Sequence, residues 1–274
     1  MYTHPADFPL AAAALDQFAR GELSLLFVHY TPLPNSDAAR ALAERIRALP
    51  LPDGMTRLHV GGFPADQVDY MQALRTGVPW VMAAIVIVVF ILLFLMLGSV
   101  VLPVKAVLAN LLSLTATFGG LVWIFQDGHL SELLGFTPQG QLDGTVLVLI
   151  FATAFSLAID YEVFLLSRVK EASLALGDET EAVAIGIQRS GPIITSAALL
   201  IGLVLASFAT ADAVFMKATA IGLLISVTVD ATVVRMLLVP ATLRLLGAWN
   251  WWAPRPLMLV YRSLNPHERV KPRP

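Results

Sequence analysis

The run Thr145-Val-Leu-Val-Leu-Ile-Phe-Ala-Thr-Ala-Phe-Ser-Leu-Ala-Ile-Asp-Tyr-Glu-Val-Phe-Leu-Leu166 decides how this chain reads. At about 1.5 Å per residue a helix of this length crosses a hydrocarbon core about 30 Å thick. The run is apolar except toward one end, where Asp160, Tyr161 and Glu162 follow one another. An ionisable carboxyl at such depth costs roughly 2.5 to 3.5 kcal/mol on insertion scales. Asp160 therefore reads as part of an ion or proton path; the structural alternative is a carboxyl that bonds neighbouring hydroxyls and fixes helix packing.

The rest of the composition agrees with a membrane setting. Of 274 residues, 57% are hydrophobic and 14% charged, against about 25% charged in a soluble domain. The net charge is -2 and the basic residues are scattered, so no phosphate-tracking stripe exists and nucleic acid is not an expected partner. There is no cysteine, which removes disulfides and thiolate sites. His4, His29, His59, His129 and His267 are not spaced as helical ligand pairs, so neither a metal nor a cofactor is expected.

Five apolar stretches have the length of membrane helices: 78–104, 106–125, 145–166, 192–209 and 214–239. Lysine and arginine fall between spans one and two, between three and four, and after span five, whereas the other connections carry acids only. The positive-inside rule then places the N-terminus outside and the C-terminus in the cytoplasm. Residues 1–77 precede the first span without a secretory signal, so the chain is expected to be the back part of something longer. Within that segment, residues 22–30 and 55–60 read as strands and 36–49 and 65–74 as helices, one small α/β layer unit. The expected division is 1–77 as an extracytoplasmic α/β unit, 78–247 as a five-helix membrane domain, and 248–274 as a cytoplasmic tail. Trp249-Asn-Trp-Trp252 marks an interfacial belt in that tail.

Helical spacing gathers Thr153, Ser156, Asp160 and Phe164 on one face. Tyr161 lies about 100° around from Asp160, so it is expected to reach another helix. Glu162 is nearly opposite Asp160 and is expected at a polar loop or another subunit. Span five repeats the pattern with Thr219, Gly222, Ser226 and Asp230, and Arg235 follows Asp230 by five residues, close enough to neutralise it in part. Asp230 reads as more structural than functional. Lys217 reads as snorkelling at the outer mouth of span five. Span four offers Thr195, Ala198 and Gly202, and span two offers Asn110, Ser113, Thr117 and Gly120; both stripes read as packing surfaces.

The segment Ser156-Leu-Ala-Ile-Asp-Tyr-Glu-Val-Phe-Leu-Leu-Ser-Arg168 closely resembles the Asp-Tyr signature helix of the MMPL transporters, in the resistance-nodulation-division (RND) superfamily. Further matches are Phe94-Leu-Met-Leu-Gly-Ser-Val-Val-Leu-Pro-Val-Lys-Ala106, Gly135-Phe-Thr-Pro138, Ile194-Thr-Ser-Ala-Ala198 and Val229-Asp-Ala-Thr-Val-Val-Arg-Met-Leu-Leu-Val-Pro240. The resemblance implies a mainly α membrane protein: the last five of about twelve transmembrane helices, a C-terminal RND repeat lacking its first helix, with residues 1–77 as the α/β remnant of a porter domain. It implies a multi-pass protein of the bacterial cell membrane that exports lipids or hydrophobic compounds using proton entry. By the same resemblance Asp160 and Tyr161 form the proton relay, supported by Ser156, Phe164, Thr195, Ser196 and Asp230. The family's other Asp-Tyr copy is absent from this sequence, so the expected partner is an N-terminal MMPL half or a second copy in a homo-oligomer. Two alternatives stand beside transport. One is a truncated or scaffold membrane protein that transports nothing. The other, an intramembrane aspartyl protease, is disfavoured by the residue order Asp160-Tyr161 and by Val227-Thr-Val-Asp230 in place of a Gly-x-Gly-Asp motif.

Overall fold

The computed structural model describes residues 19–20, 23–34, 36–51, 55–138 and 140–264. The chain divides into two compact units, Met1–Val78 and Pro79–Pro274.

In the first unit, β1 (Ala19–Arg20) and β2 (Leu23–Ser24) form an antiparallel hairpin of two residues a side. Helix α1 (Asp37–Arg47) starts where Ser36 Oγ accepts the Ala39 N–H at 3.3 Å, the usual way an N-cap satisfies an orphan donor. Arg47 pairs with Asp69 through Nη1 at 2.5 Å and Nη2 at 2.8 Å. The expected α/β layer does not form. Residues 25–30 and 55–60 are irregular, and Leu25, Leu26, Phe27 and Val28 are exposed at 58%, 75%, 69% and 55%. Alternating apolar residues make a strand only when a neighbouring strand takes up the ladder, and the one ladder among the described residues of this unit is the short β1–β2 pair, which does not reach 25–30 or 55–60. This corrects the N-terminal α/β remnant.

The second expected helix of that segment is not separate either, because α2 runs unbroken over Phe63–Leu97 with Pro79 inside it. After a break at Gly98, which has φ +70°, α3 spans Val101–Leu121 and continues as a π-helical turn, Val122–Gln126. Pro103 sits in the first turn of α3, where no helical N–H is needed. The short α4 (Ser131–Leu134) lies in the connection that follows. Helix α5 (Gly144–Leu176) begins at Asp143, whose Oδ1 accepts the Thr145 N–H at 2.7 Å, and ends at Gly177 in the left-handed region. Asp178 then caps α6 (Glu179–Phe208) by accepting from Thr180 N and Glu181 N. The fourth span, expected over 192–209, is thus the second half of a longer helix with Pro192 inside. Last come α7 (Val214–Val229), a π-helical segment (Asp230–Leu238), α8 (Val239–Leu246), a 3-10 turn (Gly247–Trp251) and α9 (Arg255–Leu264).

Among the described residues, five helical stretches are long and apolar enough to cross a membrane: Phe63–Leu97, Val101–Gln126, Gly144–Leu176, Thr180–Phe208 and Val214–Trp251. The protein is accordingly a mainly α membrane protein. Helix α5 packs against α6, α7 and α3, and the core between them is apolar, with Leu93, Leu97, Leu121, Ile150, Leu166 and Val169 almost fully enclosed. Gly186 sets the closest approach of α5 and α6, because a Cβ there would stand 2.5 Å from Val169 Cγ2 and 3.0 Å from its Cα.

Candidate functional site: two acidic neighbourhoods on one helix

Three consecutive residues of α5 point three ways, as a 100° step requires, and each meets a different environment. Asp160 is exposed. It lines a cavity of about 400 Å³ together with Ser156, Val148, Phe151, Ala152, Phe155 and Ile159 of α5 and Val81 and Ile85 of α2. Asp160 is the one ionisable group among those lining residues. Ser156, one helical turn earlier, shares its stripe, so the cavity is an apolar wall with a carboxyl and a hydroxyl at one end.

Tyr161 is half-buried and turned away from that cavity. The Arg235 guanidinium carbon sits over its ring, 4.7 Å from the centroid, a cation–π contact between α5 and the fifth span. Tyr161 thus reaches a different helix, as its position around α5 predicts. With Asp230, Arg235, Ser226, Ala158 and Ala198 it borders a narrow crevice of about 10 Å³.

Arg235 organises this interior side. Its Nε donates to Asp230 Oδ2 at 2.7 Å and its Nη2 lies 2.6 Å from the same oxygen. Nη2 also donates to the Ala158 carbonyl at 2.9 Å, which ties the fifth span to α5 between Ser156 and Asp160. Residues five apart fall off a common face in an α-helix, but the π segment Asp230–Leu238 hydrogen-bonds from i to i+5. That register stacks Arg235 over Asp230. The helix returns to α geometry at Val239 and Pro240, where the proline ring, lacking an N–H, has already removed one ladder bond.

Glu162 is buried, at 6% exposure, and this differs from the expected polar loop or subunit contact. Arg235, Asp230 and Lys105 are the charged groups that act on it. Around Glu162, then, two carboxylates face two cations, a balanced set that lowers the cost of keeping charge inside a helix bundle. Sequence reasoning places Glu162 opposite Asp160 but cannot see that the opposite face is the bundle interior. Lys105 in turn donates to Asn250 Oδ1 at 3.2 Å.

The remaining expected residues scatter. Phe164 lies under the Arg168 guanidinium at 5.6 Å, one turn beyond Asp160. Thr195 is half-buried and Ser196 exposed on α6, the latter's hydroxyl donating to its own helix at the Ile193 carbonyl. Neither lines the Asp160 cavity. Asn110, Ser113 and Thr117 of α3 are buried at 2%, 2% and 0%. Lys217, expected to snorkel, is instead 5% exposed and donates to the Leu134 carbonyl at the end of α4. Asp160 and Asp230 border different cavities, so they do not form the contacting pair an aspartyl protease needs. No cluster of three or more metal-ligating side chains occurs among the described residues.

Comparison with known proteins places this arrangement. Residues 29–273 match the MMPL family. A membrane protein of Streptomyces coelicolor is 45% identical over 85% of this chain and 33% of its own length. The trehalose monomycolate exporter MmpL3 of Mycobacterium tuberculosis is 46% identical over 80% of this chain and 23% of its own. The heme uptake protein MmpL11 of the same organism is 38% identical over 79% and 22%. The chain thus spans a fifth to a third of the length of these relatives.

Proposed function

This chain belongs to the MMPL family, and from that premise we propose that it is the C-terminal part of a proton-motive-force-driven exporter of lipids or other hydrophobic compounds. The family consists of transporters, not enzymes. In this reading Asp160 loads and releases the proton, and Tyr161 couples that event to the fifth span through Arg235. Ser156 and Phe164 flank the carboxyl on its helix, Thr195 and Ser196 serve the neighbouring α6, and Asp230 holds Arg235 in place. The supplementary partner is an N-terminal MMPL half, or a second copy of the chain, whose own acidic helix completes the relay. The protein lies in the bacterial cell membrane with its N-terminal unit outside and its C-terminal residues in the cytoplasm, as the distribution of lysine and arginine favours.

The observation that carries the reading is a contrast within one helix. Asp230 is neutralised by Arg235, and Glu162 sits in the field of Arg235 and Lys105, whereas Asp160 has no ion-pair or hydrogen-bond partner among the described residues. An unpaired carboxyl on an apolar wall is the kind of intramembrane acid that marks an ion or proton path. The hydrophobic cavity beside it suits an apolar cargo, in keeping with a relative that exports trehalose monomycolate.

The test is reconstitution in proteoliposomes with the complementary half, under an imposed proton gradient. Asp160→Asn is expected to abolish substrate export and coupled proton flux, and Tyr161→Phe to reduce both. Undiminished export with Asp160→Asn would overturn the relay.

A further inference from the structure

Helix α9, Arg255-Pro-Leu-Met-Leu-Val-Tyr-Arg-Ser-Leu264, begins three residues after Trp252. At 100° per residue its positions separate into three sectors. Tyr261 occupies the first and is buried at 5%. Its hydroxyl accepts a hydrogen bond from Lys170 Nζ at 2.6 Å, and the same Nζ donates to the Met96 carbonyl at 2.9 Å, in the last turn of α2. The ring meets Phe94 edge-on, with centroids 6.1 Å apart. Gly98 leaves the space: a Cβ there would lie 2.8 Å from Tyr261 Cε1 and Cζ. The seat for Tyr261 is therefore built from the ends of two membrane spans.

That seat fixes the height of α9. The apolar sequence of α2 runs without a charged residue from Gly77 to Leu97 and stops at Gly98-Ser99, so a helix anchored at Met96, Phe94 and Gly98 lies where the bundle leaves the hydrocarbon. The second sector, Leu257, Val260 and Leu264, is exposed at 39%, 50% and 60%. The third contains Arg255, Arg262 and Ser263, with Leu259, exposed at 69%, among them. Trp249 and Trp252 just before the helix are exposed at 68% and 49%, as interfacial tryptophans are. From residue 245 to 274 the sequence carries five basic residues and one acid, Glu268.

We propose that α9 is a membrane-surface helix that binds anionic phospholipid: Tyr261 pins it to the bundle, Leu257, Val260 and Leu264 enter the boundary between headgroups and acyl chains, and the basic side chains hold anionic headgroups. Ten residues make a weak helix alone, and the Tyr261 seat supplies the order that isolated amphipathic peptides gain only on binding. Lipid rather than protein is the occupant because the exposed apolar sector, the tryptophans and the one-sided charge all sit at the end level of the spans, where headgroups are the neighbours.

The absence of cysteine makes single-cysteine labelling of the full chain clean. Val260→Cys, Leu264→Cys and Ser263→Cys are each labelled with a nitroxide in nanodiscs. The first two are expected to collide preferentially with oxygen and the third with an aqueous nickel chelate. A fluorophore on Leu264→Cys is then expected to be quenched more by spin-labelled phosphatidylglycerol than by an equal fraction of spin-labelled phosphatidylcholine. Arg255→Gln is expected to cut that preference by about fivefold, the effect of one basic residue at an anionic surface, and high salt to remove it. Nickel access at all three sites would put the helix in water and overturn the proposal. So would protection of Val260→Cys and Leu264→Cys from both reagents, which would indicate a covering protein or second copy, or equal quenching by the two lipids.

Discussion

The guanidinium of Arg235 serves Tyr161 and Asp230 at once, resting over the ring of the first and bonded to the carboxylate of the second. Removing it strands a buried carboxylate, so Arg235→Met is expected to destabilise the bundle by about 3–5 kcal/mol. The double variant Asp230→Asn/Arg235→Met leaves no unpaired charge and is expected to recover most of that loss. Thermal unfolding in detergent or nanodiscs, read as a double-mutant cycle, checks the coupling.

Asp160 predicts the opposite behaviour. It is exposed and has no partner among the described residues, so Asp160→Asn is expected to change stability by no more than about 0.5 kcal/mol, and Asp160→Leu to stabilise the chain in lipid because it removes a carboxyl that is costly at membrane depth. A carboxyl kept for packing would instead cost stability in both variants. The same unfolding measurement separates the two.

Two glycines of α6 form a controlled pair. Gly186→Ala drives a methyl against the Val169 side chain and backbone and is expected to cost about 1–3 kcal/mol. Gly191→Ala meets no atom of another helix within 4 Å, and its propensity gain is offset by the Pro192 ring, which crowds a Cβ on the preceding residue, so a change of no more than about 0.5 kcal/mol is expected. A similar response at both positions would mean that α5 and α6 do not pack as closely as described.

Asn250 closes the end of the bundle. Its Nδ2 donates to the Leu243 and Gly247 carbonyls, its Oδ1 accepts from Lys105, and its backbone carbonyl accepts from Ser99 Oγ at 2.5 Å. Asn250→Ala strands buried groups at about 1–3 kcal/mol each, and the loss is expected to appear as faster amide exchange at residues 99–102 and 243–252. Unchanged exchange in those segments would remove Asn250 from that role.

Much of this was legible in sequence, and the failures have physical causes. Five spans follow from apolar length alone, and Asp143 and Asp178 sit where the starts of α5 and α6 need a cap. The divergence of Asp160 and Tyr161 follows from helix pitch. Of the strands expected over 22–30 and 55–60, only Leu23–Ser24 forms among the described residues, and 25–30 and 55–60 are irregular because alternation describes a face and not a partner. Pro192 did not divide α6, because a long helix tolerates one lost hydrogen bond when its flanks are packed. The burial of Glu162 depends on which helices surround α5, a tertiary fact. That Arg235 neutralises Asp230 in part was legible from their closeness, but their direct contact depends on the π register, since five residues apart is off-face in an α-helix.

The π register has a wider reach than one ion pair. Each residue of a helix turns the chain by about 100°, so the extra residue accommodated between Asp230 and Leu238 sets the angular phase of everything after it, including the face on which Asn250 finds Lys105 and Ser99. Winding the same residues as an ordinary α-helix would swing that whole terminal face by about 100°, whereas deleting one residue among 231–234 would let the span wind smoothly and keep the face in phase. The fifth span thus owes its fit at one end to an irregularity at its middle, and the same residues wound smoothly would make a worse machine part.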